Sequence, residues 1–392
     1  MVDRWAWPAM IGIGFGVVAF LAVLVPVLLV QQRRYGRLDA RRVLGAAALA
    51  VYVVTLLAYT MLPLPSGDLV QWCAAHGVAG AELTPLHSLD DVRRDTAGLG
   101  LLATLRSVAV LQVAFNVLLF VPWGVLARRY LGWGVVVSTV SALVASVGIE
   151  TVQYTGIFGL IPCSYRVADV DDVLANTLGG LVGALVAPVV LRWMPQSRAL
   201  SAARLEPRPV TFWRRLLGML TDLLAAFALG AALQLAYRAG VVATGHELPS
   251  ATTWPDVLLG TVVPAVLVFF VPPWVGTGAS LGQRAVWLEP RWPDGAGGLR
   301  RGSLPHRVAR GYLLLGLYGA LGVVEAVPPG DASNAWAGTL QNVVALAALV
   351  GVAATRDRRG LACALTGARL VDARVPVDPD LPDPARSGRG PR

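Results

Sequence analysis

Glu150 stands toward one end of the apolar run 132–158, and a short loop later the chain reads Arg166-Val-Ala-Asp169-Val-Asp171-Asp172-Val-Leu-Ala-Asn176-Thr-Leu-Gly179-Gly180. A charged side chain at the centre of a membrane helix costs ~2.5–3.5 kcal/mol on insertion scales. Glu150 is therefore expected to be protonated, paired with a cation such as Arg166, or turned toward a wet cavity, and each outcome makes a site. The chemistry open to these residue types is recognition. A guanidinium grips an anionic group through paired N–H donors, carboxylates orient hydroxyls or amines, and Asn or Gln amides fix position. The candidate binding residues are Asn116, Glu150, Gln153, Arg166, Asp169, Asp172 and Asn176, and the sequence assigns them no reaction.

Spacing brings these residues together. Glu150 and Gln153 share a helical face, and Arg166, Asp169 and Asn176 with Gly180 and Gly183 fall on one face if the following helix begins early. At 1.5 Å per residue, Glu150 lies ~27 Å along a helix that starts at Gly132. Asn176 enters the same leaflet in the first turns of the next span, and Asn116 lies two turns below the same surface. The pattern predicts an outward-opening polar pocket lined by the third, fourth and fifth spans. A purely structural reading uses the same residues as interhelical hydrogen-bond partners, with Glu150–Arg166 as a register-fixing ion pair. It takes Gly179-xxx-Gly183 as a close-packing face and Asp171 and Asp172 as solvated first-turn residues.

A second polar set follows. Arg215 and Asp222 are seven residues apart on one helical face; Asp222 is expected to have an intrahelical or interhelical partner, which Arg215 or Arg214 could supply. Glu325, with Gln341 and Asn342, lies at another depth, and carboxylates at two depths suit an ion path or polar contacts between helices. The four histidines fall in loops with no metal-ligand spacing, and there is no phosphate loop, dinucleotide fingerprint or nucleophile elbow. No metal and no cofactor is implied. Cys73 and Cys163 fall on one proposed side, where a disulfide is allowed, but three unpaired thiols are the expectation.

The elements that must position these side chains are membrane helices. The 392 residues are 55% hydrophobic and only 15% charged, with a mean hydropathy of +0.61. Nine apolar stretches are long enough to span: 7–30, 43–62, 108–127, 132–158, 173–191, 216–237, 257–273, 311–327 and 335–354. The expected fold is all-α and polytopic, five spans plus four. Lysine is absent, and 27 of the 33 arginines fall on one side of this topology. By the positive-inside rule that side is cytoplasmic, so the N-terminus is outside and the C-terminus inside. The basic excess then faces anionic lipid and excludes a nucleic-acid groove. The first span, followed by Gln31-Gln32-Arg33-Arg34, reads as a retained anchor. The boundaries are a five-helix domain over 1–192, a cytoplasmic linker over 193–212, a four-helix domain over 213–372 and a disordered tail over 373–392.

Four blocks carry a family resemblance. They are Tyr59-Thr-Met-Leu-Pro63, Asn116-Val-Leu-Leu-Phe120-Val-Pro122-Trp-Gly124, Ser146-Val-Gly-Ile-Glu150-Thr-Val-Gln153 and the run from Arg166 to Gly180. Taken in order over about 10–192, they resemble the VanZ-like family. The resemblance implies a helical cell-envelope membrane protein, with a member linked to teicoplanin resistance. The implied partners are membrane lipid and a peptidoglycan precursor or glycopeptide, and no oligomeric state follows. The second half, through Phe212-Trp-Arg-Arg-Leu-Leu-Gly-Met-Leu-Thr-Asp222, Gly278-Ala-Ser-Leu-Gly282-Gln-Arg-Ala-Val and Asp294-Gly295, resembles the RDD family over about 208–372. That resemblance implies a membrane module, with cation/proton antiport proposed for some members. Cys363 stands where the family carries its second Asp.

Overall fold

The computed structural model describes residues 2–77, 80–249, 252–295, 298–327 and 334–375. Among them nine helices are long and apolar enough to cross a membrane. They are α1 (Trp7–Tyr35), α2 (Ala40–Met61), α3 (Val108–Leu131), α4 (Val135–Tyr154), α5 (Val170–Val190), α6 (Phe212–Ala243), α7 (Trp254–Trp274), α8 (Leu304–Ala326) and α9 (Ala335–Ala354). Their apolar faces stay uncovered by protein: Val136, Val140, Val144 and Val147 form one exposed stripe along α4. Such faces are stable only in hydrocarbon, where the helix satisfies its own backbone. The chain is a multi-pass plasma-membrane protein. α8 begins seven residues before the expected 311, because Pro305 in its first turn and the amphipathic Leu304–Gly311 segment extend it, and Arg307 and Arg310 hide that turn from a hydropathy count.

Contacts divide the chain into two compact units, Met1–Val27 with Leu38–Ala203, and Leu28–Arg37 with Arg204–Arg392. In the first, Phe120 is fully buried against Leu56, Ala142 and Ile149. α3 and α5 approach through glycine. A Cβ at Gly179 would overlap the Val117 carbonyl, and one at Gly183 the Val121 carbonyl. Only small residues permit that backbone approach. At one end of this unit, arginines cap helix C-termini. Arg41 donates to Trp193 O and Arg129 to Leu191 O, both at 3.0 Å. Buried Arg42 donates to Tyr130 O at 2.7 Å and lies 4.4 Å over the same ring. These carbonyls have no partner within the helix, so a cation there satisfies and stabilises them.

At the other end, short helices Leu69–His76, His87–Asp95 and Leu101–Leu105 form a cap. Its strand β1 (Ala81–Glu82) pairs in parallel with β2 (Ala168–Asp169). Cys73 and Cys163 are disulfide-bonded, with Cα atoms 5.7 Å apart. That corrects the expectation of three unpaired thiols: a pairing across 90 residues leaves no local trace. Cys363 is free and buried.

The second unit holds α6 to α9 and a small antiparallel sheet, β3 (Leu288–Pro293), β4 (Leu299–Arg300) and β5 (Arg369–Asp372), in the order β4-β3-β5. The all-helical expectation missed this sheet because Leu288-Glu-Pro-Arg-Trp-Pro293 carries two prolines, a poor strand signal. Buried Asp372 anchors it, pairing with Arg214 at 2.8 Å and Arg374 at 2.6 Å. Ala373 N also donates to Trp287 O at 2.8 Å, so ordered structure passes the boundary expected at 373. The rest of the expected disordered tail, from 376, lies outside the described residues.

Candidate binding site

α5 starts at Val170, with Asp169 as its N-cap: the Asp169 carboxylate accepts from Asp171 N at 2.8 Å. Asp is a strong helix starter, so the helix does not begin early. Arg166 therefore lies in the loop before β2 and not on the α5 face that holds Asn176 and Gly180. The remaining candidates come together across α3, α4 and α5. Asn116 donates to Asp172 Oδ1, Asn176 Nδ2 donates to Ser146 Oγ at 2.9 Å, and Asp169 N donates to Glu150 Oε2 at 3.2 Å.

Of the three outcomes open to Glu150, the ion pair with Arg166 is not formed. Arg166 Nη2 donates to Leu62 O at 3.0 Å, and Gln153 Nε2 donates to Thr60 O at 2.6 Å. Both side chains thus fasten the end of α2, whose last carbonyls need donors. Asp171 is not a solvated first-turn residue. It is buried and accepts from Leu86 N at 2.6 Å and Ser88 N at 2.7 Å, tying the cap helix His87–Asp95 to α5. Leu86 adopts a left-handed φ of 67° to present these amides. Sequence reasoning also missed Ser146 and Thr60, whose roles depend on which helix faces them.

Hydrogen-bonding capacity remains. Glu150 Oε1, Asp172 Oδ2 and the Arg166 Nε and Nη1 groups have no partner among the described residues. Asn176 Oδ1 is buried without one. Burial raises the carboxyl pKa of Asp169, and the Asp171 and Glu82 carboxylates push it further the same way against the Asp171 N–H bond and His87. Three carboxylates face one guanidinium here, so the cluster favours donor-rich groups. Among the described residues, no three His, Cys, Asp or Glu side chains gather as metal ligands.

Residues 49–191 match the VanZ/LLP1 family. This stretch is a VanZ/LLP1-family domain. The match includes Asn116, Glu150, Gln153, Arg166, Asp169, Asp172 and Asn176 and ends at the close of α5. No curated protein and no solved structure matches the chain. The VanZ/LLP1 domain thus carries every residue of this polar cluster.

In that second unit, Asp222 pairs with neither Arg214 nor Arg215. It accepts from Ser280 Oγ and Gly282 N, both at 2.6 Å. Ser280 and Gln283 form a capping box that starts the short helix Leu281–Ala285. The Ser-Leu-Gly-Gln spacing was a legible signal for that helix. Arg214 turns to Asp372, and Arg215 donates to Arg358 O. Glu325 is exposed, and Gln341 donates to Tyr318 O at 3.0 Å. Asp222, Glu325 and Gln341 therefore have separate surroundings. A cavity of about 140 Å³ opens beside Arg215 and Asp222.

Proposed function

We propose that the VanZ/LLP1 domain uses its outer polar cluster to bind the headgroup of an envelope lipid or peptidoglycan precursor, and thereby contributes to glycopeptide resistance of the teicoplanin type. The observation that supports this reading most is the open hydrogen-bonding capacity at one place. Glu150, Asp172 and Asn176 each keep an acceptor oxygen, and Arg166 keeps two donors, beneath the cap stapled by Cys73–Cys163. Asp172 and Glu150 orient hydroxyl or amine groups, Arg166 holds an anionic group, and Asn116 and Asn176 set position. The disulfide supports an outward orientation for this end, since such bonds persist in oxidising compartments. The arginine distribution supports the same orientation.

Antiport through the RDD-like half draws less support, because both oxygens of Asp222 already accept hydrogen bonds and two arginines line the same cavity. The test is glycopeptide susceptibility of a host expressing the chain or its Glu150→Gln variant at equal membrane levels. Lost protection is the expected outcome. Undiminished protection removes the cluster from the mechanism and leaves a scaffold without its own ligand.

A further inference from the structure

We propose that the cavity of the second unit binds one anionic phospholipid, with Arg215 and Arg310 on the headgroup phosphate and the acyl chains directed toward the apolar end of the cavity. This is independent of the reading for the outer cluster.

The cavity has a charged end and an apolar end. Along α8 its wall runs from Arg310 through Leu314 to Tyr318, two turns or ~12 Å of helix, while α9 contributes only Val344, Ala345 and Ala348. At about 140 Å³ the cavity is too small to enclose acyl chains, which must continue into hydrocarbon.

The charged end is out of balance. Two guanidinium groups face one carboxylate, and Asp222 is already held by Ser280 and Gly282. Neither arginine forms an ion pair among the described residues. Arg310 is only 6% exposed, donates to Gly278 O at 2.5 Å and keeps a buried Nε without a partner. Arg215 donates to the Arg358 carbonyl, and Gly360 passes so close over it that a Cβ there would meet its guanidinium at 2.8 Å. Buried charge is costly without a counterion, so the site selects an anion and rejects a cation. The arginine geometry suits phosphate oxygens, and the adjoining apolar wall favours a lipid phosphodiester over a free ion.

The test is native mass spectrometry of the full chain released from detergent micelles, with dioleoyl phosphatidylglycerol or dioleoyl phosphatidylcholine added. The wild type is expected to retain one phosphatidylglycerol in preference to phosphatidylcholine. Arg310→Gln removes charge-assisted hydrogen bonds and is expected to weaken retention roughly 10- to 100-fold. Cys363→Asp restores charge balance without touching either arginine, and Ala345→Trp fills the apolar end; both are expected to reduce retention, and they decide the matter if Arg310→Gln does not fold. Equal retention of the two lipids, or retention unchanged in Cys363→Asp and Ala345→Trp, overturns the proposal. Displacement by inorganic phosphate at concentrations matching the lipid overturns the lipid assignment and leaves a soluble-anion site.

Discussion

The two units handle buried charge in opposite ways. In the VanZ/LLP1 domain the polar cluster has more carboxylates than cations, and backbone amides do most of the compensating: Asp171 holds two N–H groups of the cap, and Glu150 holds Asp169 N. In the second unit guanidinium groups outnumber carboxylates beside the cavity, and backbone carbonyls take the donors, as Gly278 O does for Arg310 and Arg358 O for Arg215. A carboxylate accepts from amides at helix starts, whereas a guanidinium donates to carbonyls at helix ends and turns. The sign of the surplus therefore sets the ligand each place favours: donor-rich groups at the first, an anion at the second.

The comparison breaks first at Asp372. Asp372→Ala leaves Arg214 and Arg374 buried without a carboxylate and is expected to destabilise the second unit by about 3–5 kcal/mol, read as a fall in its thermal unfolding midpoint. Its pH dependence sharpens the point. Hydrogen bonds from Arg374, Arg208 N and Arg214 hold the Asp372 carboxyl below its usual value, against its burial. The unfolded chain, titrating near about 3.9, then binds more protons, so this stabilisation is complete above that pH and is lost as pH falls through the folded value. An Asp372→Asn variant is expected to lack that acid limb.

In the first unit the largest effect is expected from the cap. Cys73→Ser opens a bridge across 90 residues and should cost about 2–4 kcal/mol, measured as faster proteolysis within 62–107 while the spans stay intact. Gly183→Val drives a side chain into the Val121 carbonyl and is expected to cost about 1–3 kcal/mol in a reversible unfolding assay. The smallest change is Asn116→Leu, about 0.6 kcal/mol, the size of an average interhelical polar contact in a membrane. A much larger loss there would mean that the Asn116–Asp172 contact supports the whole cluster and not one hydrogen bond.

Much of the molecule was legible beforehand. Span positions followed from hydropathy, with ends displaced by up to seven residues: α1 and α6 run five and six residues further at their C-terminal ends, and α8 begins seven earlier, where Arg307 and Arg310 dilute the signal. The gathering of Asn116, Asp172, Asn176 and Glu150 at one end followed from topology and helix rise. Partner choice did not. Arg166, one candidate partner for Glu150, is on Leu62 O; Asp222, for which an arginine could have served, is on Ser280 and Gly282.

The sequence by itself determined that the apolar helices form, roughly where each lies along the chain, and which polar residues enter them. These are local sums over consecutive side chains and need no knowledge of neighbours. Only the tertiary structure decided the Cys73–Cys163 bridge, the anchoring of β5 through Asp372 and the cavity beside Arg310. Each depends on the rotation and depth of one element against another. A turn of 100° per residue moves a side chain from one partner to the next without changing any local preference.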